Sequence, residues 1–333
     1  MASVGDCCCV GFLASTTLEF GNEAYSRPTL KFPFQPIFDS DVYRASDNRF
    51  HQHYCVTLDR CSSSGYGVYS LFPRVPTKKI HSPGRRGPAF VSLAMASYLS
   101  LYPILLFLPL LMVTYDCSNA ASKPSIQTFS IVTTVLFTSV LLIYLKLSHI
   151  LTGSWEFIAS TYGVSLLLPD LTPNVGLWWY FFIEMFDSFR AFFLCLFQLH
   201  LFIYVPGTCL RLQKQPLFAL TTLVGIISIF KSYPAIGDTA LYLSLLAVHN
   251  HIFPLMRYTF FLAAAILYAT FLGPAFYYLW VYAGSGNANF FYAITLVWSI
   301  VNALIVADAL YAVLRDEHET ERPELIGKDV VQI

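Results

Sequence analysis

The stretch LFALTTLVGIISIFKSYPAIGDTALY, residues 217–242, decides the fold of this chain because a short polar break joins two apolar runs. Pro234 stops a helix and disfavours helical geometry at the residue before it. Gly237 permits a tight turn, and Asp238 can cap the helix that follows. The stretch therefore predicts a helix, a break and a second helix at a membrane surface. The break is either a plain turn or the wall of a polar cleft.

The composition extends this interpretation to most of the chain. The 333 residues are 56% hydrophobic and only 12% charged, with a formal net charge of zero, whereas a soluble chain is typically about 25% charged. The fold class that follows is an all-α polytopic membrane protein. A neutral chain whose cations lie mostly between apolar runs offers no basic patch, so we expect no nucleic-acid partner.

Apolar runs of spanning length begin after residue 87 and alternate with short polar breaks. They predict a bundle of about seven transmembrane or re-entrant helices, because about 20 apolar residues cross a bilayer. The first run divides at Pro103, and the fifth is short enough to be re-entrant. We expect an irregular polar segment over residues 1–87, a membrane domain over 88–315 and a cytosolic tail over 316–333. The runs lie near residues 90–115, 126–150, 178–206, 217–233, 239–253, 258–282 and 290–314.

The charges of the breaks predict the orientation, because cytosolic loops retain Lys and Arg. Segments 152–177 and 284–289 contain no basic residue, whereas other breaks are basic. We therefore expect these two segments to face the lumen and the basic breaks to face the cytosol. The basic residues concerned are Arg211, Lys214, Arg257 and Arg315.

The run WWYFFIEMFDSFRAFFLCLFQLHLFIYVP, residues 178–206, carries a polar stripe. On one continuous helix, Glu184, Asp187 and Arg190 fall on one side and five phenylalanines on the other. Charged groups are costly in lipid, so such a stripe faces protein, water or a ligand. We interpret it as an internal pair between Asp187 and Arg190 that docks the helix on a neighbour. Contact with a polar headgroup or a partner helix is the alternative.

Two luminal breaks hold the candidate binding residues. Lys231 and Tyr233 lie near the luminal interface, where Lys231 is available to an anionic group such as a phosphate. Asn287 and Asn289 lie between aromatic residues, and amides can bind sugar hydroxyls and phosphate oxygens. The alternative for this second break is a hairpin loop that uses Gly and Asn for its turn geometry.

No stretch predicts a metal or cofactor site. The stretch HQHYCVTLDRC, residues 51–61, contains His and Cys, but its spacing fits no common zinc site. His249 and His251 lie at a helix end, where turning or packing is favoured over ligation. We therefore expect no cofactor and no metal.

Four long motifs carry a resemblance to a known family. They are SYLSLYPILLFLP (97–109), SWEFIASTYGVSLLLPDLTPNVGLWWYFFIEMFDSFRAFF (154–193), ISIFKSYPAIGDTALY (227–242) and YAGSGNANFFYAITL (282–296). In order along residues 88–315, they resemble the U subunit of the glycosylphosphatidylinositol (GPI) transamidase, the PIG-U family. The resemblance implies a membrane architecture similar to the membrane part of GT-C glycosyltransferases.

The resemblance also implies a function in GPI-anchor biosynthesis. It implies a non-catalytic, multi-pass subunit of the endoplasmic reticulum membrane that helps recognise and present the GPI lipid for attachment to proproteins. The implied partners are the GPI lipid and other transamidase subunits, including the caspase-like cysteine protease subunit. The residues that the motifs imply for lipid contact are Asn287, Asn289, Phe290, Lys231, Tyr233 and Asp238.

The resemblance leaves two questions open. Family members usually begin with further membrane spans, which residues 1–87 do not resemble, so this segment is either a divergent amino terminus or a gene-model artefact. The competing function is a dolichol-phosphate-sugar-dependent mannosyltransferase, which needs a luminal carboxylate as base or metal ligand. Asp170 or Glu156 would have to serve, and neither lies in a paired acidic motif. A transporter is a weaker alternative, because the sequence shows no internal inverted repeat.

Overall fold

The computed structural model describes residues 87–117 and 124–322, and the regular elements in those ranges are helical. Two 3-10 segments, Tyr102–Leu106 and Ala247–Leu255, and a π-helical turn, Ala159–Gly163, accompany the α-helices. In chain order the α-helices are α1 (Gly87–Leu99), α2 (Phe107–Asp116), α3 (Ile126–Thr152), α4 (Glu156–Ile158), α5 (Val164–Leu167), α6 (Trp178–Glu184), α7 (Asp187–Arg211), α8 (Pro216–Phe230), α9 (Ile236–Leu246), α10 (Thr259–Val281) and α11 (Ala288–Glu321).

Four of these helices, α3, α7, α10 and α11, are long and apolar enough to cross a membrane. Shorter apolar helices accompany them: α1, the segment from Tyr102 to Asp116, and α8. The prediction of an all-α polytopic membrane protein is confirmed. The stretch at residues 51–61, whose His and Cys residues fit no common zinc site, and the tail beyond residue 322 lie outside the described residues.

Helix α8 is an interior helix. All of its residues except Ile227 and Phe230 are buried, as expected for a helix that is hydrophobic on every side. It packs against α2, α7, α9 and α11. Gly225 permits the close approach, because a Cβ atom there would lie 2.8 Å from both the Tyr242 ring and the Val306 side chain. The predicted span near residues 217–233 is thus a 15-residue helix enclosed by protein.

The structure confirms the break predicted in the first apolar run. The chain leaves the α-helix at Ser100, and Pro103 lies at the start of the 3-10 segment that follows. The run near residues 239–253 is also short: α9 ends at Leu246, and the following 3-10 segment is kinked at His249. Both regions therefore consist of short helical pieces rather than single long spans.

One predicted span is wrong. The run at residues 178–206 forms two helices, α6 and α7, because Met185 and Phe186 adopt extended backbone geometry. Asp187 and Ser188 then form the first turn of α7, where acidic and hydroxyl side chains are favoured. The polar residues that we predicted to follow one face of a continuous helix therefore include the start of a new helix.

Candidate functional site

Three segments, of which only one carries a basic residue, Lys231, meet at the N-terminal end of α11. We call this region the amide end and define it by residues 153–177, 231–238 and 282–289. Tyr292, in the first turns of α11, donates from its hydroxyl to the Leu177 carbonyl at 3.1 Å. The two segments that the loop charges assigned to the lumen thus lie at the same end of the helix bundle.

The basic end, which we define by Arg211, Lys214 and Arg257, lies beside the C-terminal half of α11. Arg211 Nη1 lies 3.2 Å from a carboxylate oxygen of Glu317, and Lys214 Nζ lies 3.2 Å from the other. Lys214 also pairs with Glu321. The hydrogen bonds to Glu321 and Glu317 raise the pKa of the Lys214 ammonium. The basic loop between α7 and α8 is therefore tied to the C-terminal turns of α11.

A polar hub, made of the buried Tyr102 and Ser232 and the half-buried Ser165 and Gln198, supports the amide end. Helix α5 ends at Leu167, so its last carbonyl groups need partners outside the helix. Gln198 Nε2 donates to the carbonyls of Ser165 and Leu166 at 3.0 and 3.3 Å, and Ser232 Oγ donates to Ser165 at 2.5 Å. The Ser232 backbone N–H donates to the Tyr102 hydroxyl at 3.1 Å. The hub joins four separate segments.

The hub gives Ser232 a structural role that the sequence did not reveal. Ser232 is 0% exposed and Tyr102 is 5% exposed, so neither reaches a headgroup from its present position. Sequence reasoning identified the break at Pro103 but missed the adjacent Tyr102. The signal that could have found it is a tyrosine beside a helix break, because a buried tyrosine hydroxyl usually has a hydrogen-bond partner.

Arg190 supports the same short helix through a different carbonyl. Its Nη2 atom donates to the carbonyl of Leu168 at 2.6 Å, and Leu168 is a non-glycine residue with a left-handed φ of 49°. Arg190 thus docks α7 on a neighbouring segment, as expected, but its partner is this carbonyl rather than Asp187. Glu184 and Asp187 lie on different helices and are both exposed.

The turn at residues 231–238 holds three of the predicted lipid contacts. Lys231 Nζ lies 2.6 Å from Asp238 Oδ2, and the same oxygen accepts from the Ala235 N–H at 2.7 Å. The predicted cap by Asp238 is therefore confirmed, and Lys231 forms an ion pair with the capping carboxylate. Tyr233 donates from its hydroxyl to the Asp170 carbonyl at 2.8 Å, and burial raises the pKa of Tyr233.

Gly176 brings the 153–177 segment directly onto this turn. A Cβ atom at Gly176 would lie 2.6 Å from two ring atoms of Pro234. The Asn174 side chain accepts from the Gly176 N–H at 2.7 Å and fixes the approach. The proline that breaks the helix is therefore also the packing surface for the neighbouring loop.

The carboxylates considered for a mannosyltransferase lie on separate elements. Glu156 begins α4, and the Asp170 carboxylate accepts from the Thr172 N–H at 3.0 Å in its own loop. Within residues 87–117 and 124–322, no group of three or more His, Cys, Asp or Glu could hold a metal ion. His249 is buried against the Phe218 ring, 3.2 Å from Thr221 Oγ1, so the expectation of packing is confirmed there.

In their hydrogen bonds with the described residues, Asn287 and Asn289 use only their side-chain oxygen atoms. Asn287 Oδ1 accepts from the Phe290 N–H at 3.2 Å and caps α11. Asn289 Oδ1 accepts from the Tyr180 hydroxyl. Both asparagines are exposed, and no acceptor within the described part of the chain binds either amide nitrogen. Up to four N–H donors therefore remain available at the surface.

Aromatic rings surround the two asparagines. Trp179 is only 1% exposed and stacks on Trp280 with ring centroids 6.1 Å apart. Tyr292 approaches Trp179 edge-on at 5.8 Å and Tyr180 at 4.6 Å. Phe290 is 52% exposed. Asn289 is thus held by Tyr180, a member of this packed aromatic cluster, and the exposed Phe290 ring is next to it in the chain.

Asp308 was missed by the sequence reasoning. It is 7% exposed and accepts from the backbone N–H groups of Arg257 and Tyr258 at 3.1 Å. These groups immediately precede α10, so the carboxylate of α11 satisfies the start of a neighbouring helix. The only signal in the sequence is a lone acidic residue inside an apolar run.

The family model described as GPI transamidase subunit PIG-U matches residues 77–298. The GPI-anchor transamidase component PIGU of Mus musculus is 42% identical over 239 residues, and that of Homo sapiens is 41% identical over 239 residues. Each alignment covers 70% of this chain and 55% of the relative. The GPI transamidase component GAB1 of Saccharomyces cerevisiae is 38% identical over 70% of this chain and 57% of its own length. The chain thus spans a little over half the length of these relatives.

Proposed function

The chain belongs to the PIG-U family of GPI transamidase subunits, and from this membership we propose that it is a non-catalytic subunit in the endoplasmic reticulum membrane. Its role is to recognise the GPI lipid and present it to a caspase-like cysteine protease subunit. The relatives are named as transamidase components, which supports action within a multi-subunit complex. The same comparisons favour this function over the mannosyltransferase alternative.

One observation carries the proposed lipid contact: the exposed N–H donors of Asn287 and Asn289 have no protein acceptor within the described ranges. Amide donors suit phosphate oxygens and sugar hydroxyls, and exposed Phe290 offers an apolar surface beside them. The GPI headgroup contains both sugars and phosphates. We therefore assign the amide end to headgroup recognition, with the two asparagines as the first contacts.

The neighbouring turn contributes to the proposed site. The Lys231 ammonium has three donors, and Asp238 accepts one of them. The remaining donors can bind a phosphate oxygen while the ion pair holds the side chain in place. Tyr233 keeps the 153–177 segment against this turn through the Asp170 carbonyl. The proposed roles are thus phosphate contact for Lys231 and positioning for Tyr233 and Asp238.

The substitutions Asn287→Asp and Asn289→Asp test the proposal. Aspartate keeps the oxygen that accepts from Phe290 or Tyr180, and it caps helices as well as asparagine does. It removes the N–H donors and adds a charge that repels phosphate. We expect each variant to co-purify with the other transamidase subunits at the wild-type level. The assay uses cells whose own PIG-U family gene has been deleted. In those cells, surface display of a GPI-anchored reporter should fall about tenfold, as expected when hydrogen bonds to a charged group are lost.

Asn250→Asp is the matched control, because Asn250 is also an exposed asparagine but lies in the 3-10 segment that precedes Arg257 at the basic end. Reporter display should not change in this variant. Wild-type display in both amide-end variants would show that the asparagines serve only the fold. If the unaltered chain neither restores display nor recovers a protease subunit, the proposed role in the complex is wrong.

A further inference from the structure

The end of α3 carries a cation, Lys146, that pairs with no carboxylate of the described residues. Lys146 lies two turns before Gly153, whose left-handed φ of 73° ends the helix. Within residues 87–117 and 124–322, no Asp or Glu forms an ion pair with Lys146. The Lys146 ammonium forms a cation–π contact with Trp155, at 5.5 Å from the centroid of the ring.

The other cations near the amide end have acceptors. Arg190 donates to the Leu168 carbonyl, and Lys231 pairs with Asp238. Among the cations that the structure describes at this end, Lys146 has no such acceptor, although the loop-charge pattern disfavours a cation on this side of a membrane. The exposed Lys146 ammonium is therefore available to an anion from outside the protein.

Specific contacts hold the side chains around Lys146 in place. His149, one turn further along α3, stacks on Trp155 with ring centroids 4.2 Å apart and an interplanar angle of 9°. Its Nδ1 atom is buried and has no hydrogen-bond partner within the described part of the chain. The adjacent Ser148 is fixed by a 2.5 Å hydrogen bond with Tyr98. Two nitrogen-containing side chains and an indole ring thus form one ordered cluster.

The position of the cluster matches the interface of a bilayer. Trp155 is 46% exposed and follows the end of a helix long enough to span a membrane, where tryptophan is enriched. Lys146 lies about 9 Å below that helix end at 1.5 Å per residue, a depth from which a lysine can extend to the headgroups. Three apolar side chains flank it and are at least half exposed: Leu147 at 51%, Ile150 at 73% and Leu151 at 78%.

From this cluster we propose a phospholipid site at the end of α3, formed by Lys146, His149 and Trp155. The headgroup phosphate accepts a hydrogen bond from the Lys146 ammonium, and the acyl chains lie along the exposed apolar residues of α3. The occupant is a membrane phospholipid rather than free phosphate, because the apolar residues extend the cationic cluster into the hydrocarbon region. This site lies on different helices from Asn287 and Asn289 and does not depend on the proposed function.

Lipid titration of the purified full chain tests the proposal. The chain is exchanged into lipid-free detergent micelles and titrated with phosphatidylinositol, and bound lipids are counted by native mass spectrometry. We expect Lys146→Gln to weaken binding about tenfold, as for the loss of one charge-assisted hydrogen bond. Lys146→Arg should restore it. Diacylglycerol, which lacks the phosphate, should bind no better to the wild type than to Lys146→Gln.

Lys214→Gln is the charge-matched control, because Lys214 is exposed but already paired with Glu317 and Glu321. It should bind phosphatidylinositol like the wild type. Equal binding by wild type and Lys146→Gln would overturn the proposal, as would equal losses in both glutamine variants. Displacement of the lipid by millimolar inorganic phosphate would show that the cluster is a free-anion site and would overturn the assignment to a lipid.

Discussion

The amide end and the basic end of this molecule differ in how most of their polar side chains are paired. At the amide end, side chains from distant segments donate to backbone carbonyls, as Gln198 does to Ser165 and Arg190 does to Leu168. At the basic end, charged side chains pair with one another, as the exposed Arg211 does with the half-buried Glu317. Broken helices create carbonyls that must be satisfied, whereas an unbroken helix such as α11 leaves its polar side chains free to pair.

The two arrangements differ in their energetic consequences. A carbonyl left unpaired away from water costs about 1–3 kcal/mol, so the hub bonds that are shielded from water matter for the fold. An exposed ion pair gains less than about 1 kcal/mol, because water screens the charges. In this chain, the charge of two contacting groups is therefore a poor guide to how much their contact stabilises the fold.

The largest effect is expected from the double substitution Gln198→Leu with Ser232→Ala. It removes the Gln198 and Ser232 donors to the Ser165 and Leu166 carbonyls and leaves only the 3.5 Å approach of the Tyr102 hydroxyl to Ser165. The free energy of unfolding should therefore fall by about 3 kcal/mol. Unfolding by stepwise addition of denaturing detergent measures the loss. Cys195→Leu, an exposed position one turn away on α7, is the control and should change little. If the double variant and Cys195→Leu had the same free energy of unfolding, the hydrogen bonds of the polar hub would not stabilise the fold more than the ion pairs of the basic end do.

A smaller effect is expected from Asp308→Ala, and it sharpens the comparison. Asp308 lies in the basic half of α11 but is buried and bonds to backbone N–H groups. Its loss should lower the free energy of unfolding by about 2 kcal/mol, and Asp308→Asn, which keeps one acceptor, should lose less. The same detergent titration measures both. A negligible change in Asp308→Ala would mean that location, rather than burial and backbone pairing, decides the strength.

The smallest effect is expected from Arg211→Ala. The Arg211 side chain is 56% exposed and its pair with Glu317 is open to solvent, so the free energy of unfolding should fall by less than about 1 kcal/mol. Repeating the titration in 0.5 M salt should abolish the difference from wild type, because exposed charges are screened. A loss as large as that of the hub variant would contradict the view that the basic end contributes little.

Much of the architecture could be predicted from the sequence because its signals are local. The length and apolarity of the runs predicted helical segments, Pro103 predicted a helix break, and Asp238 predicted a helix cap. The break at Met185 and Phe186 was missed, although Asp187 and Ser188 are residues that favour a helix start. The apolar run around these two residues is continuous and has helical periodicity. We therefore interpreted the run as one helix, despite the two polar residues.

The candidate site was only partly predictable. The motifs pointed to Asn287, Asn289 and Lys231, but their roles depend on contacts across the fold. Nothing local indicates that Asn287 caps a helix with its oxygen and leaves its nitrogen free, or that Lys231 pairs with Asp238. Those roles follow from the backbone geometry of the α10–α11 connection and of the turn before α9.

The sequence by itself determined that this is a helical membrane protein of the PIG-U family, where several of its helices break and which loops carry the positive charge. These properties depend on residue type and spacing, which the sequence displays directly. Only the tertiary structure decided that Arg190, Gln198 and Ser232 serve the end of α5, and that Asp308 serves the start of α10. Their partners are backbone carbonyl and N–H groups, which every residue carries, so no pattern of side chains could reveal them.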